Sequence, residues 1–224
     1  MGATAALSAA VRRANQQRKM SSGIWGTLAV SLSRMWVKPP RKQCRRIDER
    51  WHAHYLTFSC FRRQPFFRGR QSPQWFLECL DAARQSAGFD LWAYVVMPEH
   101  VHLVVFPHDG VNVSDILYRI KRPMTTKVLT WVLHNSPAFL SRMAHQRADG
   151  RITHHFWQAG GGYDRNLWSP EEIYEKIRYV HENPVRRKLV TTATEWRWSS
   201  DRAWETGQEG QIALDLDSLP DVGS

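Results

Sequence analysis

Leu91–Phe106 reads L-W-A-Y-V-V-M-P-E-H-V-H-L-V-V-F, and the fold turns on it. Two apolar runs meet at Pro98-Glu99, which predicts a β-hairpin whose second strand opens with His100-Val101-His102. On a strand, residues two apart project to the same face. His100 and His102 therefore project together, while Val101 and Leu103 point the other way, towards a core. Two adjacent imidazoles can hold one divalent cation or one phosphate. A lone His-x-His also arises from paired, half-exposed polar positions, so the rest of the chain must decide between the two.

Working outward, Tyr55–Cys60 reads as a strand, and a basic loop with Arg62, Arg63, Arg68 and Arg70 follows. Pro73–Ala87 has helical spacing at Phe76, Leu80, Ala83 and Ala87, and Gly88 ends it. Beyond the hairpin, Asp109-Gly110 is a turn. Ser114 is expected to cap a helix in which Leu117, Ile120, Met124, Val128 and Trp131 share a face. Pro123 is expected to kink or split that helix. Residues 135–155 read as loop and a short helix. The run Gly160-Gly161-Gly162 permits a hinge or a close backbone approach before a last strand, Tyr163–Leu167. Ser169, Pro170 and Glu172 then form a helix start with a capping box. Ile173, Ile177 and Val180 are its buried stripe, and Asn183-Pro184 is expected to end it. A second His-x-His, His52-Ala53-His54, reads as polarity at a strand edge. The order strand, helix, strand, strand, helix, strand, helix predicts an α+β fold, a ferredoxin-like antiparallel sheet with helices packed on it.

The chain has 224 residues, a net charge of +10 and 11 tryptophans. That length suits one compact domain with extensions. The charge points to a polyanionic partner, and the aromatics can serve a core or stack on unpaired bases. We divide the chain into a basic N-terminal extension (1–50), a globular domain (51–207) and an acidic C-terminal tail (208–224). The extension can be a phosphate-gripping arm, a segment resembling an organelle transit peptide, or a product of a misplaced start codon. The tail carries Glu209, Asp215, Asp217 and Asp221 and is expected to fold over the basic face and compete with DNA. Cys44, Cys60 and Cys79 form no Cys-x-x-Cys pair, so no disulfide framework or zinc knuckle is indicated, and a cytoplasmic setting fits best. No apolar run is long enough to span a membrane. No phosphate-cradling Gly-x-x-x-x-Gly-Lys loop is present, which argues against an ATP-driven motor.

Along the last helix, Glu172, Lys176, Tyr179 and Asn183 fall at spacings of four, three and four and form one stripe beside the apolar one. If this helix packs across the sheet, Asn183 can complete a coordination begun by His100 and His102, with Tyr179 beside the metal. Tyrosine phenols ionise near ~10, so a phenol needs help to act as a nucleophile. A divalent cation on a phosphate oxygen supplies it. Attack on DNA phosphate gives a phosphotyrosine that retains the energy of the broken strand, so rejoining needs no nucleotide cofactor. Lys176, one turn before Tyr179, is placed to favour the phenolate or the incoming phosphate. The alternative for Tyr179 is ordinary aromatic packing beneath a helix.

These motifs resemble a known family. His-hydrophobic-His after W-A-Y-V-V-M-P-E is similar to the HUH endonucleases. The run Y-V-H-E-N-P-V-R-R-K-L-V from Tyr179 resembles the tyrosine helix of single-tyrosine transposases, most closely the REP-associated tyrosine transposases. Trp196-Arg197-Trp198-Ser199-Ser200 resembles that family's W-x-W-S-S segment. The resemblance covers about Trp51 to Gly207. It implies the HUH endonuclease fold, with His100, His102 and Asn183 as metal ligands and Tyr179 as the nucleophile. It implies a 5′-phosphotyrosine and a free 3′-hydroxyl, and repetitive extragenic palindromes folded as single-stranded DNA hairpins as substrate. Magnesium is the implied cofactor, with manganese also able to serve. Arg62, Arg63, Lys121, Arg122, Lys127, Arg186 and Arg187 are the candidate DNA contacts, with a solvated helix face the alternative for the three on the middle helix. The basic extension and acidic tail depart from the family pattern. A hairpin-binding relative that no longer cuts is the alternative function. An RNA-binding ferredoxin-like domain would carry stacking aromatics where this chain has histidines. The target sequence, and the choice between monomer and homodimer, stay open.

Overall fold

The computed structural model describes residues 52–208 and 210–221. The basic extension lies outside the described residues, as do Glu209 and the last three residues of the tail. Strand β1 (Ala53–Ser59) leads through an arginine-rich loop to helix α1 (Gln71–Ala87). The hairpin β2 (Phe89–Met97) and β3 (His100–Pro107) follows, then helix α2 (Val113–Asn135). A helical turn α3 (Leu140–Met143) and a small hairpin, β4 (Ala144–Gln146) with β5 (Ile152–His154), precede β6 (Tyr163–Leu167). Helices α4 (Pro170–Arg186) and α5 (Asp201–Thr206) complete the order. The main sheet runs β2-β3-β1-β6 with antiparallel neighbours throughout, so the His-x-His strand is internal. This is the expected ferredoxin-like arrangement.

Alternation along the strands divides the core into two. Leu56, Phe58, Val96, Val101, Leu103 and Val105 pack with α1 and α2 on one face. Tyr55, Ala93, Val95, Met97 and Val104 meet Ile173, Ile177 and Val180 of α4 on the other. Each fully buried aliphatic side chain contributes about 1.5–3 kcal/mol. Three of them at helical spacing fix the rotation of α4, and so fix where its neighbouring stripe points.

The expected helix end at Asn183-Pro184 needs correction, and Pro123 does not split its helix. Helix α2 continues through Pro123, and α4 continues through Pro184 to Arg186. In each case the packing of an apolar face outweighs one lost backbone hydrogen bond. The cap of α2 is Asn112, whose side chain accepts from the Asp115 N–H, and not Ser114. Val132 takes the buried position expected of Trp131, which is 38% exposed. His54 is also not edge polarity: it is buried and bonded to Asp164 at 2.8 Å, on the face opposite His102.

The C-terminal segment covers β2, an edge strand that would otherwise present unpaired backbone groups. The Val96 N–H donates to Trp198, the Ser200 N–H to Tyr94, and the Trp204 indole to the Trp92 carbonyl. Further on, Asp215 accepts from the Leu91 N–H at 2.8 Å and pairs with Arg84 at 2.6 Å. Leu91 stands opposite Val105, whereas Met97 stands opposite His100. The described tail is therefore anchored at the end of β2 remote from the histidines, and not over them as expected. Asp215→Ala should lower stability by about 1–3 kcal/mol in urea unfolding, with hairpin DNA affinity unchanged within twofold. A marked rise in affinity would restore the competing-tail expectation.

Candidate active site

His100 and His102 lie on the face of β3 that α4 covers. Their Nε2 atoms are 2.9 Å apart, with the rings at right angles. His100 Nδ1 is 3.1 Å from Glu99 Oε1, and Glu99 in turn accepts from Arg187 at 2.9 Å. His102 Nδ1 is 2.7 Å from both the Tyr55 hydroxyl and Thr57 Oγ1. Both imidazoles are held neutral by burial. His102 is pushed down to about 3, with the neighbouring His100 and Lys176 adding to the effect. His100 is lowered less, because Glu99 opposes burial.

The start of α4 follows its sequence signals. Ser169 accepts from the Glu172 N–H, and the Glu172 carboxylate reaches back to the Trp168 N–H at 2.9 Å. With Ile173, Ile177 and Val180 buried, the flanking stripe brings Tyr179 to the histidines. The Tyr179 ring is 6.1 Å from His102 and 6.0 Å from Tyr55, edge-on to both. Lys176 Nζ lies 4.9 Å from the Tyr179 ring and 5.2 Å from the Tyr55 ring. Arg186 covers Tyr179 at 5.3 Å.

The Asn-Pro pair has a local purpose. Proline lacks the N–H that would bond the carbonyl four residues back. The Asn183 amide nitrogen donates to Tyr179 O at 2.7 Å and reaches Val180 O, the carbonyl that Pro184 leaves without its donor, at the long distance of 3.4 Å. The buried amide is thereby oriented by its nitrogen, and its oxygen is the end suited to a hard cation.

On the opposite flank of α4, His181 meets Ser200 at 2.8 Å and Asp201 at 3.3 Å. Ser200 is 1% exposed and accepts from the Tyr94 N–H at 2.9 Å. A serine so enclosed cannot serve as a nucleophile. The set latches α4 to β2, which gives the W-x-W-S-S segment a structural role.

The donor set fits a divalent cation. Octahedral ligands at about 2.1 Å sit roughly 3 Å from their neighbours, close to the observed nitrogen separation. Each histidine meets a partner at its outer nitrogen, so a cation would be met by Nε2. Among the described residues there is no group of three His, Cys, Asp or Glu that could hold a metal.

The predicted DNA contacts separate into two groups. Arg63 acts electrostatically on His100, Arg187 is bonded to Glu99, and Arg186 lies over Tyr179. Arg62 and Arg63 both have φ of 52°, a rare region for side-chain-bearing residues. Lys121, Arg122 and Lys127 belong to α2 on the other face, where Lys127 is paired with Glu78. Sequence reasoning missed Tyr55, Thr57 and Glu99. A signal existed in the alternation of Tyr55 and Thr57, polar groups that share one face of the strand while Leu56 and Phe58 share the other.

A profile for the family described as "Transposase IS200 like" matches residues 49–183, more than half of the chain. The chain belongs to the IS200-like transposase family. A solved REP-associated tyrosine transposase bound to a REP hairpin has the same fold, with a TM-score of 0.57 over 81% of this chain and 99% of that one. Identity between the two is 17%, so the likeness is one of fold. A Deinococcus radiodurans protein whose own assignment as a transposase is provisional aligns at 16% identity and a TM-score of 0.40, over 62% of this chain and 95% of that one. No curated protein matches the sequence. No helix among the described residues is long and apolar enough to cross a membrane.

Of the two uses expected of the glycine run, close approach holds at Gly162. A Cβ there would lie 2.2 Å from Thr57 O, at φ +81°, directly beneath the His102 partner. Gly160 has nothing within 4 Å of such a Cβ. Gly162→Ala should cost at least about 2 kcal/mol in urea unfolding, and Gly160→Ala about 1 kcal/mol from backbone strain alone. Equal costs would contradict the close-approach assignment.

Proposed function

We propose that this IS200-like transposase cleaves and rejoins single-stranded hairpin DNA through a covalent 5′-phosphotyrosine on Tyr179, with a divalent metal, magnesium or manganese, as cofactor. The observation that carries this reading is the placement of the Tyr179 ring 6.1 Å from His102, on the same sheet face as both imidazoles. His100 and His102 supply Nε2 atoms and Asn183 an amide oxygen to the cation. Once bound, the cation polarises a phosphate oxygen and neutralises charge in the transition state.

The chain's own residues account for the rest. The Tyr179 oxygen attacks phosphorus, the P–O3′ bond breaks, and the strand leaves with a 3′-hydroxyl. The phenol proton departs from Tyr179, and a proton is taken up by the leaving oxygen. In the reverse sense, a 3′-hydroxyl attacks the phosphotyrosine and releases the phenol. Lys176 sits over the Tyr179 ring, and its positive charge favours loss of the phenol proton or approach of the phosphate. Arg62, Arg63, Arg186 and Arg187 grip phosphates near the scissile bond. Lys121, Arg122 and Lys127 serve the strand beyond it.

Incubating the protein with labelled single-stranded hairpins and Mg²⁺ should give a denaturation-resistant protein–DNA adduct that is lost in Tyr179→Phe. An adduct that persists in that variant excludes Tyr179 as nucleophile. Hairpin binding without any adduct favours the non-cutting relative. Lys176→Ala should slow adduct formation at least tenfold while changing hairpin affinity less than threefold. Equal loss of rate and affinity would reduce Lys176 to a binding contact.

A further inference from the structure

The small hairpin β4–β5 takes no part in the chemistry above, yet it carries a histidine pair. His145 stands opposite Thr153, and the His155 N–H donates to the Met143 carbonyl two residues along the same pairing. His145, Thr153 and His155 therefore share one face of the hairpin. The rings of His145 and His155 are 5.6 Å apart at 89°, and His155 Nε2 is 2.9 Å from Thr153 Oγ1. His145 is exposed and His155 half-buried.

Contacts join this pair to the active site. Phe61 packs against both rings, 5.5 Å from His155 and 6.1 Å from His145. The Arg62 guanidinium lies 4.8 Å from the centre of the Phe61 ring. The Phe61 N–H donates to the Phe156 carbonyl, and the Cys60 N–H to the carbonyl of Glu99, whose side chain meets His100. Basic groups thus follow one another from Arg187 and Arg63 beside His100, through Arg62, to the histidine pair and Arg147.

The groups around the pair favour an anion. Burial, then His145, Arg147 and His154, push the His155 imidazole below the ordinary histidine value. Arg62 approaches from the loop after β1, and Thr153 adds a hydroxyl. The acid of this hairpin, Asp149, is already paired with Arg151 at 2.6 Å and Arg147 at 4.0 Å. Two imidazoles this close oppose each other's protonation, and a phosphate beside them removes the opposition.

We propose that this face of β4–β5 is a second DNA contact, a wing on which the His145–His155 pair takes up a proton as a backbone phosphate docks. The wing extends the grip of Arg62 and Arg63 onto DNA that is held but not cut. The inference rests on the proposed hairpin DNA partner and deepens it, because the grip becomes dependent on pH. A docked phosphate raises the proton affinity of the pair. Binding therefore strengthens as pH falls through the range where the complex is protonated and the free chain is not. One proton taken up gives at most about tenfold in affinity per pH unit.

Fluorescence anisotropy with a labelled single-stranded hairpin tests this in the full chain carrying Tyr179→Phe, so that Tyr179 forms no adduct and binding is read apart from cleavage. At constant ionic strength, affinity should rise about 5–10-fold from pH 7.5 to 6.0. Adding His145→Gln and His155→Gln should leave affinity at pH 7.5 within about threefold and cut the gain on acidification to less than about twofold. Adding His145→Arg and His155→Arg instead keeps the charge at every pH, and should bind at pH 7.5 at least as tightly as the parent at pH 6.0. An equal rise in the parent and the glutamine variant overturns the inference, as does an arginine variant no tighter than the glutamine one at pH 7.5. Hairpin binding that is insensitive to pH rejects the wing and leaves the proposed function standing. No hairpin binding at either pH removes the partner itself and overturns both.

Discussion

Burial of Ile173, Ile177 and Val180 against the sheet face that bears His100 and His102 is the contact on which the site depends. It fixes the rotation of α4, and rotation decides which side chains reach the imidazoles. A helix turned by one residue, about 100°, would carry Tyr179 away from His102 and bring no equivalent group in its place. The apolar stripe and the polar stripe are therefore parts of one constraint. Packing energy is spent on one register of the helix, and that register sets the chemistry available.

That contact is reinforced from a distance. The edge of β2 is covered by the segment following α4, and the same segment supplies Ser200 and Asp201 to His181. Burial pushes the His181 imidazole down to about 4, and it raises the Asp201 carboxyl. The latch is thus a buried polar set inside an otherwise apolar junction, where loss of one member strands the others without partners. Asp215 continues the cover to the far end of β2. The residues after α4 act as a brace for the helix, and the acidic Asp215 is explained by the Arg84 guanidinium and the Leu91 N–H that it meets.

Much of this was legible in the chain because period and chemistry agreed. The alternation in Leu91–Phe106 and the helical spacing after Ser169 each named one face, and the two faces meet. Proline misleads at Pro184, which lies inside a helix that tertiary packing holds continuous, and Pro123 does not split its helix. At Pro184 the exception is informative: the Asn183 amide donates to the Tyr179 carbonyl, with a longer contact to Val180 O, and is oriented by doing so. His54 was read as edge polarity because its partner, Asp164, is 110 residues away and enters only through β6 pairing. Tyr55 and Thr57 escaped for the same reason. Their importance depends on register, with Thr57 opposite His102, and register is a property of the paired strands.

The account depends on the nearness of the Tyr179 phenol to a cation held by His100 and His102. Fluorine labelling of the six tyrosines, with resonances assigned by single Tyr→Phe variants, allows Mn²⁺ to report that distance through paramagnetic broadening. Substoichiometric Mn²⁺ should broaden the Tyr179 and Tyr55 resonances beyond detection and leave Tyr118, on α2 across the sheet, sharp. A Tyr179 resonance that stays as sharp as Tyr118 while the His100 and His102 signals vanish would contradict the account.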